Sequence, residues 1–301
     1  MGLLPMDIDI LPPSDDRIFK LILTSPEEGK IVLMDLISSI INRQVVNVEV
    51  RNNELPVGDI EGKAGRLDVN CRIQDGTQIS LEIQASYLKE DLGGEHKNLI
   101  GKSIYYLCDL HSSQPLKGVK RYDRLVQTYQ VTFCSYNVFP KLASYVNSFS
   151  MRHDTTNELL SDIIHVIFIE LSKLSEIVEK PVSEMSELEK WAIFFQYANI
   201  TTHREKVNKI IESKKELQMA GDLLMSVSKD ERERAINRSR RMYETDMASN
   251  LATAEDIGEQ KGVIKVARNM IADGDPIDKI IRNTGLTREE VEKLDVLPPI
   301  I

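Results

Sequence analysis

Residues Ile163 to Ile169 read IIHVIFI, and this run limits the possible folds more than any other stretch of the chain. A strand with one wet face alternates apolar and polar side chains, whereas a strand apolar on both sides needs cover above and below. Such a strand belongs inside a sheet with helices on both faces. The run is also far shorter than the roughly 20 apolar residues that a helix needs to cross a bilayer. The neighbouring segments offer the cover. SDDRIFKLIL follows Pro12-Pro13, with Ser14 or Asp15 as its N-cap, and EEGKIVLMDLISSIIN and EHKNLIGKSIYYLCDLHSS also read as helices. VVNVEVRNN and LVQTYQVTFCSYNVF read as strands. Residues 1–185 are therefore expected to form a mixed α/β domain, a central sheet flanked by helices.

A second stretch, GRLDVNCRIQDGTQISLEIQA from Gly65 to Ala85, reads as a hairpin. Leu67, Val69, Cys71 and Ile73 alternate with Asp68, Asn70 and Arg72, and Ile79, Leu81, Ile83 and Ala85 alternate with Ser80, Glu82 and Gln84. Asp75-Gly76 supplies the turn. A loop of these two residues alone would set Asp68 against Ile83 and mix the faces, because a slip of one residue turns every side chain over. An odd loop such as Asp75-Gly76-Thr77, with Gly76 in the left-handed region, brings the polar sets together and places Asp68 opposite Gln84. Two readings of this face stand. It is a solvated hairpin surface, or it is a cation site, since two carboxylates on adjacent strands repel unless a cation lies between them.

From about Pro181 the character changes. SELEKWAIFFQYAN reads as a helix, and His203 to Gly274 is densely charged, proline-free and long enough for two or more helices. GDPIDKIIRNTGLTREEVEKL reads as two short helices around a turn. Its acids outnumber its bases, so a small packing or dimerisation element competes with a DNA-reading helix-turn-helix. Residues 186–301 are expected to form an all-helical C-terminal region. Its apolar positions Leu217, Met219, Leu223, Leu224 and Met225, and then Val263, Val266, Met270 and Ile271, either fold back on the same chain or pair with a second copy. Net charge is −9, so contact with nucleic acid has to be local. KGVKRYDR, with Lys117, Lys120, Arg121 and Arg124, is one candidate patch for phosphates, or a solvated turn. The isolated Cys71, Cys108 and Cys134 form no CxxC pair and suit a reducing cytosol. The acidic N-terminus is unlike a secretory signal, and a cytoplasmic protein without a membrane segment is expected.

These pieces resemble, in order, the Rpn recombination-promoting nucleases, or PD-(D/E)XK nuclease family transposases. The resemblance runs through DRIFK, NNEL, Lys63-x-x-Arg66-Leu67-Asp68-Val69, LEIQ at Leu81 to Gln84, SIYY, KGVKRYDRLVQTYQVTF, HVIFIELSKL and LEKWAIFF, and extends to the tail from Gly258. It implies a restriction-endonuclease-like fold and a metal-dependent DNA endonuclease serving transposase-like recombination or defence. By position, it implies Asp68 and Glu82 as the acids of the two catalytic strands, holding Mg²⁺ (or Mn²⁺) with the backbone carbonyl of Ile83. Gln84 takes the place usually held by lysine. Glu54 and Lys63 fall on family-like positions, and Lys102 sits where many members carry arginine. A glutamine carries no charge at neutral pH, so charge stabilisation falls to the metal, Lys63 or Lys102. DNA and a second copy of the chain, joined through the C-terminal helices, are the implied partners. The glutamine and the acidic net charge leave a competing reading, a weak or inactive nuclease fold kept as an assembly module.

Overall fold

A computed structural model describes residues 3–51, 69–85, 96–114 and 122–296. Asp15 caps α1 (Asp16–Thr24), its carboxylate accepting from the amides of Arg17 at 3.0 Å and Ile18 at 3.2 Å. There follow α2 (Glu28–Ile41), β1 (Val48–Val50), β2 (Val69–Ile73), β3 (Gln78–Gln84), α3 (Lys97–Ser112), β4 (Thr128–Cys134), β5 (Val146–Arg152) and β6 (Leu159–Glu170). Then come α4 (Glu187–Tyr197), α5 (Arg204–Glu212), α6 (Lys215–Lys229), α7 (Glu231–Ala272), α8 (Ile277–Thr284) and α9 (Arg288–Val296).

Among the described residues the strands form one six-stranded sheet in the order β1-β2-β3-β4-β6-β5. β3, β4 and β6 run parallel at its centre, and the remaining pairs are antiparallel. This is the mixed sheet flanked by helices that the restriction-endonuclease-like fold requires. β6 is apolar on both sides because both sides are covered from Val166 onward. Ile167 and Ile169 join the main core with Leu81, Ile83, Val131 and Phe133 against α1, α2 and α4. Val166 and Phe168 face the other way, with Cys134 and with Leu99 and Leu107 of α3. The edge strand β5 escaped the sequence reading. Its SFSMR alternates polar and apolar over only five residues, and Phe149 and Met151 are exposed, so no buried face marks it.

The hairpin has an odd loop, but a different one from that expected. Ile73 donates its amide to the Thr77 carbonyl at 3.0 Å, so Gln74-Asp75-Gly76 form the loop, with Gly76 at φ +90°. Asn70 pairs with Ser80 and Arg72 with Gln78, which puts polar opposite polar as parity demands. The loop keeps three residues but is shifted one residue earlier than Asp75-Gly76-Thr77, which changes each cross-strand pairing by two positions. Asp75 explains it: its carboxylate accepts from the Thr77 amide at 3.0 Å, closing the turn one residue earlier.

By contacts the chain falls into two units, Met1–Asn237 and Arg238–Ile301. The sequence reading drew its line at 185/186. Helices α4 to α6 lie in the first unit, and Trp191, Phe194, Phe195, Val207, Ile210, Ile211, Leu217 and Leu224 are buried in its main core. Met219, Leu223 and Met225 pack against it, so the first of the two apolar stripes folds back on its own chain. In the second unit the end of α7 packs with α8 and α9 around Ala267, Ile280 and Val291. Gly285, at φ +73°, ends α8 in a left-handed cap.

Candidate active site

The parallel pair β3–β4 sets three rows of side chains on the face beneath α3: Ser80 beside Gln130, Glu82 beside Thr132, and Gln84 beside Cys134. Cys134 in turn pairs with Glu170 of β6. This face is not a solvated hairpin surface. Ser80 and Gln78 are each 2% exposed and Glu82 is 6% exposed, because α3 lies over them. The helix is tied to β4 along its length. Ser103 Oγ lies 3.4 Å from Thr132 Oγ1, and His111 Nδ1 lies 2.8 Å from Thr128 Oγ1. Gln114 clasps both the amide and the carbonyl of Val126, each at 2.9 Å.

The first turns of α3 bring a cation to the buried acid. Lys102 Nζ donates to Glu82 Oε1 and forms an ion pair with it. The same Nζ lies 5.7 Å from the centre of the Tyr106 ring, one turn further along the helix. Glu82 and Gln84 project to one side of β3, and Gln84 is half-buried at the strand's carboxyl end. The Ile83 side chain points into the opposite core.

Beside this row stands a residue that the sequence reading did not select. Glu170 is fully buried. Its Oε1 accepts from the amides of Val138 at 2.6 Å and Phe139 at 2.9 Å. Its Oε2 accepts from Asn147 Nδ2 at 2.5 Å and Lys173 Nζ at 2.7 Å. Lys173 also caps the carbonyls of Phe139 and Leu142. The segment after β4 is thereby pinned next to Gln84. The sequence signal was an acid closing an otherwise apolar strand. Between the two acids lies Cys134, whose thiol is pushed well above its ordinary value by burial and then by the charges of Glu170 and Glu82. Burial alone pushes the Cys71 thiol up to about 12.

A family model described as PD-(D/E)XK nuclease family transposase matches residues 13–254. The chain belongs to the PD-(D/E)XK nuclease family transposases. Among curated proteins and among solved structures no match is found. Membership makes this a nuclease-type protein. Of the family positions expected from sequence, Glu82, Ile83, Gln84 and Lys102 are described and lie together. Asp68, Lys63 and Glu54 lie outside the described residues, as do Lys117, Lys120 and Arg121 of the basic cluster, while Arg124 is exposed.

The residues present fit a hard divalent cation in donor type. The Glu82 carboxylate and the Ile83 carbonyl are oxygen donors. An ammonium seated against Glu82 is a stand-in for positive charge at that carboxylate. No cluster of three or more His, Cys, Asp or Glu able to hold a metal occurs among the described residues. No described helix is long and apolar enough to cross a membrane.

Proposed function

We propose that this chain is a divalent-metal-dependent DNA endonuclease that hydrolyses phosphodiester bonds in transposase-like recombination or defence. The observation that carries the reading is the buried Glu82 beside the carboxyl ends of the parallel strands β3 and β4, with the Lys102 cation against it. Glu82, the Ile83 carbonyl and Asp68 would hold the ion, Mg²⁺ or Mn²⁺. When bound, it supplies an activated water and neutralises phosphate charge. The chain's own groups do the rest. Gln84 can orient a water, its Oε1 accepting and its Nε2 donating, but it cannot take a proton at neutral pH. Lys102, with Lys63 as a further candidate, supplies the positive charge that a lysine at position 84 would have carried, and Glu54 is a secondary candidate for the site.

Every one of these residues falls within 1–185, and we assign 186–301 to supporting the nuclease core and to assembly. A homodimer through the C-terminal helices would set two sites against two DNA strands under two-fold symmetry. The isolated thiols fit a reducing cytoplasm.

Plasmid nicking with Mg²⁺, with Mn²⁺ and with EDTA tests the reading. The parent should nick with either metal and not with EDTA. Glu82→Ala and Asp68→Ala should each reduce nicking by about 1,000-fold or more, a loss on the scale of removing a principal electrostatic group from an active site. Parental nicking in both variants would refute the assignment. The glutamine at position 84 and the net charge of −9 favour one competitor, a catalytically inactive assembly module. It predicts no metal-dependent nicking by the parent at all.

A further inference from the structure

We infer that Lys102 is a displaceable internal counter-ion of the metal site: it holds Glu82 when the metal is absent and moves to the scissile phosphate when the metal binds. The inference rests on the metal-site reading of Glu82 and adds a role to a residue on a different element. Four observations carry it. Glu82 is nearly sealed from water, and a carboxylate there needs positive charge close by. Lys102 provides it from α3, outside the hairpin that bears the acid. Its side chain keeps 29% exposure, so the ammonium has a route outward without opening the core. The Tyr106 ring at 5.7 Å offers a second seat for the same charge along the helix.

The physics is competition. An ammonium and a divalent ion at one carboxylate repel each other strongly in a site of low dielectric. The lysine stem, with its rotatable bonds, is the part that yields, while α3 itself is held on β4 by Ser103, His111 and Gln114. Displaced toward solvent, the ammonium lies at the mouth of the site, where the phosphate of a bound strand arrives. Lys102 would thus do the work of the lysine that β3 lacks at Gln84. Metal binding would release it to do so.

The test uses the full chain as parent, Lys102→Met, Lys102→Arg and Glu82→Gln. It reads Mn²⁺ affinity by titration of free Mn²⁺, the Mn²⁺-induced change in melting temperature, and nicking rate at saturating Mn²⁺. Lys102→Met should bind Mn²⁺ about tenfold more tightly than the parent, because the Lys102 ammonium no longer has to leave first. It should also gain more thermal stability from Mn²⁺ than the parent does, since Glu82 then lacks the lysine. Its nicking at saturation should nevertheless fall by about 100-fold. Lys102→Arg should retain most of the parental rate, which separates loss of charge from loss of fold. Unchanged or weaker Mn²⁺ affinity in Lys102→Met overturns the counter-ion role, and a parental nicking rate overturns the phosphate role. If the parent shows no Mn²⁺ binding that Glu82→Gln removes, the metal-site reading falls and the inference falls with it.

Discussion

Glu170 shows how one buried charge can organise a loop beside a site. It has no exposure, and its two oxygens take four donors from three parts of the chain. A buried carboxylate with every lone pair used is stable only while its partners stay in place. Glu170→Ala takes the carboxylate away from Lys173, Asn147 and the Val138 and Phe139 amides. The expected cost is about 3–5 kcal/mol of folding stability, measured by urea denaturation. Lys173→Met should cost a similar amount, because it leaves a fully buried carboxylate without its counter-charge. A loss below about 1 kcal/mol for Glu170→Ala would show that the loop is held by other means.

At the scale of elements, α4 is the clearest case of a helix set by local chemistry and then claimed by the core. Ser186 accepts from the Glu189 amide at 3.2 Å, and Glu189 accepts in return from the Ser186 amide at 2.7 Å, a reciprocal capping box. Lys180 binds Glu189 at 2.6 Å, while Lys214, at the start of α6, binds both Glu187 and Asp35 at 2.7 Å. Burial alone would raise the Glu187 and Glu189 carboxyls. Lysines and, for Glu189, the Ser186 amide outweigh it and hold both below their ordinary 4.5. Their folded values lie below their unfolded ones, so their contribution is complete above about pH 4.5 and fades as pH falls through the folded values. Urea midpoints should therefore be flat from neutral pH down to about 5 and drop below it, and Lys214→Met should make that drop shallower. An equally steep acid drop in Lys214→Met would mean that other carboxylates control it. Ser186→Ala should cost about 1 kcal/mol at neutral pH.

For the whole molecule, the place where the chain can be cut follows from burial. Ending it near Asn199 removes Val207, Ile210, Ile211, Leu217 and Leu224, all fully buried in the first unit. That chain should aggregate or melt without a cooperative transition. A chain ending at Asn237 keeps the first unit whole and should unfold in one sharp step. The dimer proposed through the C-terminal helices is testable on the full chain and on the chain ending at Asn237. Met242, Tyr243, Met247 and Ile257 on α7 are all exposed, and a long helix gains most of its stability from packing such residues. Light scattering should give a dimer for the full chain and a monomer for residues 1–237. A monomeric full chain at micromolar concentration would rule out the stable dimer.

Periodicity alone determined most of the helices and every strand but β5, that the polar residues of the β2–β3 hairpin share a face, and that Glu82 and Gln84 point the same way. These are local consequences of a two-residue strand repeat and a 3.6-residue helix turn, so no distant contact is needed to read them. The family motifs carried the nuclease assignment. What the sequence could not determine depends on contacts between residues far apart. Ser80 and Glu82 look like surface residues until α3 covers them. The serine-rich β5 becomes a strand only because β6 offers it an edge. The charged stretch after His203 leaves folding back and pairing with a second copy both open from sequence, and α5 and α6 are drawn into the core by the apolar surface of α1, α2 and α4. Lys102 meets Glu82 across 20 positions of sequence. Only the crossover from β3 through α3 back to the parallel β4 brings that lysine over the acid, and no spacing within either segment records it.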